Sequence, residues 1–163
     1  LVVKLNNSMR WYHLNEEYAI DNVDGWGAVP NNQEVDYLGL RVKMTPRNFI
    51  KLAAPLGQDP SEEMISYIKQ NKPIGAPFLI VSIPAEWEDG DFSEPARILG
   101  HEGRNRMTTI QALHGDHPLE VHLFFTDGMR ARHLTPEMIE NMNSGMVKEK
   151  SRRVIPGPLF KAV

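Results

Sequence analysis

The stretch Ala96-Arg97-Ile98-Leu99-Gly100-His101-Glu102-Gly103-Arg104-Asn105-Arg106-Met107 joins a short apolar run to a charged helix start, and its reading decides the fold. The run before Gly100 has the composition of a strand ending at that glycine. From Gly103 the apolar residues Met107, Ile110 and Leu113 recur at helical spacing until His114-Gly115-Asp116 supplies a glycine stop, so a helix is expected from about 103 to 114. Leu119 to Phe125 (LEVHLFF) alternates and then becomes fully apolar, which reads as another strand and completes a strand-helix-strand unit.

Upstream, Pro77 to Ile83 (PFLIVSI) is an apolar run of strand length, as expected of a strand covered on both faces in the sheet interior. The polar turn Trp87 to Glu94 joins it to the strand ending at Gly100, making the two neighbours in a hairpin. Asp36 to Met44 alternates Tyr37, Gly39, Arg41 and Lys43 against Leu38, Leu40, Val42 and Met44, the period of a half-buried strand. Thr45-Pro46 then offers an N-cap and a first-turn proline ahead of Phe49, Ile50, Leu52 and Ala53, a short helix ending near Pro55. Asp59-Pro60-Ser61-Glu62-Glu63 repeats that chemistry before Met64, Ile65 and Ile68, with a stop near Asn71 to Pro73.

The ends are less regular. Met9 to Asp36 mixes aromatic residues with Asp-Gly and Pro-Asn-Asn turns and shows no sustained period. Thr135-Pro136-Glu137 opens a last helix carrying Met138, Ile139 and Met142. Met138, Met142 and Met146 fall at i, i+4 and i+8, a stripe expected to dock on the chain's own core. The basic tail from Lys148 to Arg153 leads into an irregular, proline-containing end. The expected organisation is an irregular arm over 1–36, a core domain over 37–128, and a C-terminal helix and basic tail over 129–163 packed on that core.

Composition bounds the function. At 163 residues and 41% hydrophobic content the chain suits one compact α+β (mixed α/β) domain, a small central sheet with flanking helices. Eighteen basic against twenty-one acidic residues, a net charge of −3, provide no global attraction to a polyanion, so any such ligand needs a local patch. There is no cysteine, hence no disulfide framework and no thiolate chemistry. No apolar run approaches the ~20 residues that span a bilayer, and the first residues do not read as a secretory leader, so no membrane partner and a cytoplasmic location are expected.

The segment that decides the fold also concentrates the chemistry. A helix start offers backbone N–H groups that the fold does not use, and arginine offers forked donors, so Gly103, Arg104 and Arg106 have the makings of a phosphate site. Two positions apart on a helix, the arginines point about 200 degrees apart and cannot both grip one phosphate. Glu102 can serve as a magnesium ligand, as a general base, or as a lock on an arginine, and His101 beside it as a proton-transfer group. The same residues also suit a surface ion-pair cluster at an ordinary helix start. His101, His114, His117, His122 and His133 raise a metal reading, but His114-Gly115-Asp116-His117 reads first as a turn. Arg130, Arg132, His133, Lys148, Lys150, Arg152 and Arg153 could meet nucleic-acid phosphates, although Glu137, Glu140 and Glu149 dilute them into what reads as a solvated face.

The order of "IKQNKPIGAPFLIVSI" followed by "ARILGHEGRNRMTTIQALHGDHPLEVHLFF" resembles the N-terminal domain of ParB and the related sulfiredoxin-like family over roughly residues 60 to 125. The resemblance implies that Glu102, Arg104 and Arg106 occupy the acidic and basic positions of a nucleotide-phosphate motif. It also implies that the Pro73 to Pro77 loop, with Ile74, Gly75 and Pro77, lines the pocket beside Gly100 and Gly103. The chain departs from the family motif at Gly103, where many ParB proteins have arginine, and at Met107, where alanine is usual. Sulfiredoxin chemistry needs a cysteine and is excluded. ParB's partition role needs a helix-turn-helix portion, and only the Thr135 helix and a short tail follow Phe125. The implied protein handles a nucleotide, ATP or CTP with magnesium, as an NTP hydrolase or phosphotransferase. The alternatives are a ParB-like nuclease and a non-catalytic phage or mobile-element protein that binds nucleic acid or a protein partner.

Overall fold

A computed structural model describes residues 2–5, 8–12, 17–21, 37–53, 62–70, 74–125, 134–148 and 152–162. In chain order the strands are β1 (Val2–Leu5), β2 (Ser8–Tyr12), β3 (Glu17–Asp21) and β4 (Tyr37–Met44), followed by helices α1 (Pro46–Leu52) and α2 (Glu62–Lys69). Next come β5 (Ile74–Gly75), β6 (Phe78–Ser82), a 3-10 turn over Ala85–Asp89, β7 (Ala96–Glu102), α3 (Arg104–His114) and β8 (Leu119–Phe125). The chain closes with α4 (Pro136–Ser144), β9 (Gly145–Lys148), β10 (Arg153–Pro156) and β11 (Lys161–Ala162). This is an α+β fold. Its main sheet runs β1-β4-β8-β6-β7-β9-β10, with β11 also on β4, while β3-β2-β5 forms a separate three-stranded sheet.

The apolar patterning explains the central strands. Leu40, Val42 and Met44 of β4 are buried while Lys43 between them is exposed, as period-two alternation requires. The register Leu40 to Leu123 to Leu79 puts three leucines on one sheet face, and they join Phe49 and Leu52 of α1, Ile68 of α2, Met107 and Ile110 of α3 and Met138 and Met142 of α4 in a single core. Helix starts are set by their caps. Thr45 Oγ1 accepts from Asn48 N at 3.2 Å and Thr135 Oγ1 from Met138 N at 3.2 Å, each with proline in the first turn. β6 lies between β8, parallel to it, and β7, antiparallel to it, so the Trp87 to Glu94 segment does close a hairpin. Trp87 itself is buried, and its Nε1 donates to the Glu94 carbonyl at 2.7 Å, which ties the turn shut.

Phe78 and Phe124 are also buried but lie outside that core. Register sets them on the opposite sheet face, where their rings meet edge-on at 5.1 Å together with His122 and Glu120.

Several expectations are corrected. In the arm over 1–36, expected to be irregular with short pieces of structure, β1 pairs with β4 in the main sheet and β2 pairs with β3, while residues 22–36 lie outside the described set. The strand expected to stop at Gly100 continues through Glu102, because Phe78 and Leu79 of β6 offer pairing to Glu102 and His101. The last helix ends at Ser144, so Met146 is a β9 residue; it is buried against the same core as Met138 and Met142 by another route. The C-terminal tail is ordered as β9, β10 and β11, with Asn143 Oδ1 accepting from Leu159 N and Phe160 N at 2.8 Å each. Asp59 to Ser61, Asn71 to Pro73, Arg130, Arg132, His133, Glu149 and Lys150 lie outside the described residues. Among the described residues no helix is long and apolar enough to cross a membrane.

Candidate functional site

The junction between β7 and α3 is shaped by a bulge. Ile80 faces Gly100 but the next β6 residue, Val81, faces Ile98, so Leu99 is the extra residue. Without it, Ile98 and Glu102 would share a face. With it, Ile98 stays on the core face while Gly100 and Glu102 turn to the face of Ile80 and Phe78, and His101 turns to the core face with Leu79. His101 and Glu102 therefore point to opposite sides of the sheet and do not converge on one proton, contrary to the pairing expected from their adjacency.

Gly103 then opens α3 in a conformation suited to glycine, with φ of +107°. A Cβ there would stand 2.7 Å from Pro77 Cβ and 2.9 Å from Arg106 Nη2, so the glycine lets three backbone and side-chain surfaces meet. It also leaves α3 without a side-chain cap, unlike α1 and α4. The first-turn N–H groups are thus not claimed by a capping oxygen, the arrangement that suits an anion.

The two arginines part as helical geometry requires. Arg106 is only 6% exposed and lies against Gly103, with its Nη2 3.9 Å from Glu102 Oε1. Burial pushes its guanidinium down to about 9 against the opposing pull of Glu102, which leaves it a cation at neutral pH. Its role here is to buttress the junction from within. Arg104 is half-buried at the helix start, and its charge reaches Lys148 at the end of β9. Burial first, and Arg104 second, hold the Lys148 ammonium below the ordinary lysine value. Besides the buried Arg106, the cations at the junction are therefore Arg104 and Lys148, both half-buried.

Of the other expected pocket residues, Pro77 reaches the junction, and Gly100 lies on β7 opposite Ile80. Ile74 and Gly75 pair with Tyr12 and Trp11 of β2 in the separate sheet. Glu102, 40% exposed in its side chain, is the carboxylate at the junction. Among the described residues no three His, Cys, Asp or Glu side chains form a group able to hold a metal. The His114 to His117 turn is structural: Asp116 accepts from Arg47 N at 2.8 Å, pairs with Arg47 Nε at 3.2 Å, and lies 3.3 Å from Gln111 Nε2.

Two features escaped the sequence reading. Lys148 was placed in a diluted basic tail, and only the parallel pairing of β7 with β9 brings it to the α3 start. Glu120 and His122 were not paired, although LEVHLFF alternates and so sets both on one face. Comparison with known protein families, with curated proteins and with solved structures finds no match.

Proposed function

We propose that the chain is a ParB-like nucleotide-binding protein that takes the phosphates of a nucleotide, ATP or CTP, at the start of α3. The observation that carries this reading is the uncapped, glycine-opened helix start with the cations Arg104 and Lys148 held beside it. Two like charges kept close raise the free energy of the empty protein, and a phosphate between them lowers it. Glu102 lies at the strand end next to this start and supplies the group able to accept a proton from attacking water, which extends the reading to NTP hydrolysis or phosphoryl transfer. A magnesium ion arriving on the phosphates would find Glu102 as its protein carboxylate.

Thermal-shift titration with ATP, CTP, their diphosphates and pyrophosphate, with and without magnesium, tests the reading. At a hundredfold excess over Kd a ligand specific to the folded state adds about 2.7 kcal/mol, on the order of 5–10 °C for a chain of this size. The shift is expected to disappear in Arg104→Ala. Absence of any shift, or an equal shift in that variant, refutes the site as placed. Phosphate release that stops in Glu102→Gln supports hydrolysis, and Glu102-dependent cutting of DNA would instead mark a nuclease.

A further inference from the structure

Among the described residues of the main sheet, the large apolar side chains left most open to water are Leu99, 39% exposed, and Val154, 53% exposed. Strand register sets both on one face. Val154 of β10 is the partner of Val147 on β9, and Val147 is the partner of Arg97 on β7. Their chain neighbours Ile98, Met146 and Ile155 pack on the core, so Arg97, Leu99, Val147 and Val154 point the other way. Farther across this outer face Phe78, His122 and Phe124 are buried, whereas the part over β7, β9 and β10 is open at Leu99 and Val154. A Cβ on Gly145 would stand 3.3 Å from Val154 Cγ1, so Val154 lies over the glycine and the patch continues without a step to the exposed Pro156.

A sheet face that meets water carries polar residues at its outward positions, and Leu99, Val147 and Val154 stand there instead. Apolar side chains scattered singly need no partner, but a contiguous patch across three strands marks an interface. Charge selects what covers it. Arg97 is exposed within the patch, and the exposed Glu86, Glu88, Asp89, Asp91 and Glu94 crowd the turn that enters β7. Glu94 is held in place there, its carbonyl accepting from Trp87 Nε1 at 2.7 Å. Among the described residues neither the Arg97 nor the Glu94 side chain takes part in an ion pair of its own chain. β7 is therefore negative at its start and positive three residues further on. A second copy laid end for end over the same face brings its acidic turn to Arg97, and a two-fold axis makes that contact twice. A copy laid with its strands in the same direction would instead set acid against acid.

We infer that the outer face of β7, β9 and β10 is the interface of a two-fold homodimer, with Leu99, Val147 and Val154 in the contact and Arg97 of each copy paired with Glu94 of the other. The two sheets pack face to face about 10 Å apart with their strands running in opposite directions, a spacing that arginine and glutamate side chains bridge together. Burial of the valines and the leucine drives the association, and the charge pairs fix its direction. Three short strands make a small interface, so the dimer is concentration-dependent.

Sedimentation equilibrium over about a thousandfold range of protein concentration tests the inference. The wild type should pass from monomer to dimer, while Val154→Asp and Leu99→Asp should stay monomeric throughout. Arg97→Glu or Glu94→Arg alone sets like charges against each other and should weaken the dimer by about tenfold or more. The double variant Arg97→Glu/Glu94→Arg should recover it, because the exchange preserves the pairing across the two-fold axis. All four positions are exposed, so each variant should melt like the wild type at concentrations where both are monomers, which separates lost association from lost folding. A wild type that stays monomeric at every concentration, or a dimer that persists in Val154→Asp, overturns the interface. A dimer lost in Val154→Asp but not recovered by the double charge exchange overturns the end-for-end arrangement.

Discussion

His122 Nε2 stands 3.1 Å from Glu120 Oε2, with the histidine 1% and the glutamate 8% exposed, on the sheet face opposite the helices. The two groups are within hydrogen-bond distance of each other. Nδ1 of His122 is buried and makes no hydrogen bond. Phe124 lies 6.5 Å from the imidazole at 87°.

Glu120→Leu leaves His122 Nε2 buried without this contact and is expected to cost about 1–3 kcal/mol, the penalty for a buried polar group left unsatisfied, and His122→Phe removes the same contact from the other side. The double variant should regain much of that loss, because no polar partner remains to be desolvated. Urea denaturation of the two singles and the double forms the cycle, and strict additivity would show that the contact carries no coupling.

Gly103 and Gly90 provide a matched comparison. Both have positive φ, +107° and +80°, but a Cβ at 90 meets nothing within 4 Å whereas one at 103 meets Pro77 at 2.7 Å. Gly90→Ala is expected to cost on the order of 1 kcal/mol from backbone strain alone. Gly103→Ala should cost clearly more and should also diminish the nucleotide-induced thermal shift, because the proline cannot rotate away. Equal losses at the two positions would refute a tight junction.

Arg106 supplies a pH signature. Its proton affinity is lowered on folding, chiefly by burial, so above about 9 the folded protein gives up a proton that the unfolded chain still holds. The unfolded state then binds more protons, and stability relative to Arg106→Met rises with pH from about 9 toward the ordinary arginine value. Denaturation of both proteins at neutral pH and at pH above about 9 measures this difference, which should shift toward the wild type as the pH rises.

Lys148 reports on the Arg104 charge directly. Arg104→Ala should move its ammonium back toward the ordinary lysine value, though only in part, because burial is the larger cause. Bound phosphate should move it in the same direction, so ligand binding near that value takes up a proton. NMR titration of the Lys148 side chain checks both shifts.

Much of the fold was legible because local rules and tertiary demands agree. Thr45-Pro46 and Thr135-Pro136 mark helix starts by capping chemistry that needs no distant partner, and LEVHLFF and PFLIVSI mark strands by composition. The tail from Lys148 onward was illegible for the opposite reason. Its strands are short, β10 is mostly exposed, and the segment is ordered by pairing with a hairpin partner and by Asn143 rather than by any periodicity of its own. Met146 misled because helical spacing carried on past Gly145, where the chain changes from helix to strand while still facing the core.

The candidate site divides along the same line. By itself the sequence determined that a glycine opens a helix beside Glu102, and that Arg104 and Arg106 leave that helix in different directions, since both follow from backbone geometry within a few residues. Tertiary structure alone decided that Arg106 is buried against Gly103, that the Leu99 bulge sets which sheet face His101 and Glu102 each take, and that Lys148 at the end of β9 comes within reach of the Arg104 charge. Each of these depends on strand register between segments far apart in the chain. A shift of one residue in that register would send every affected side chain to the other face.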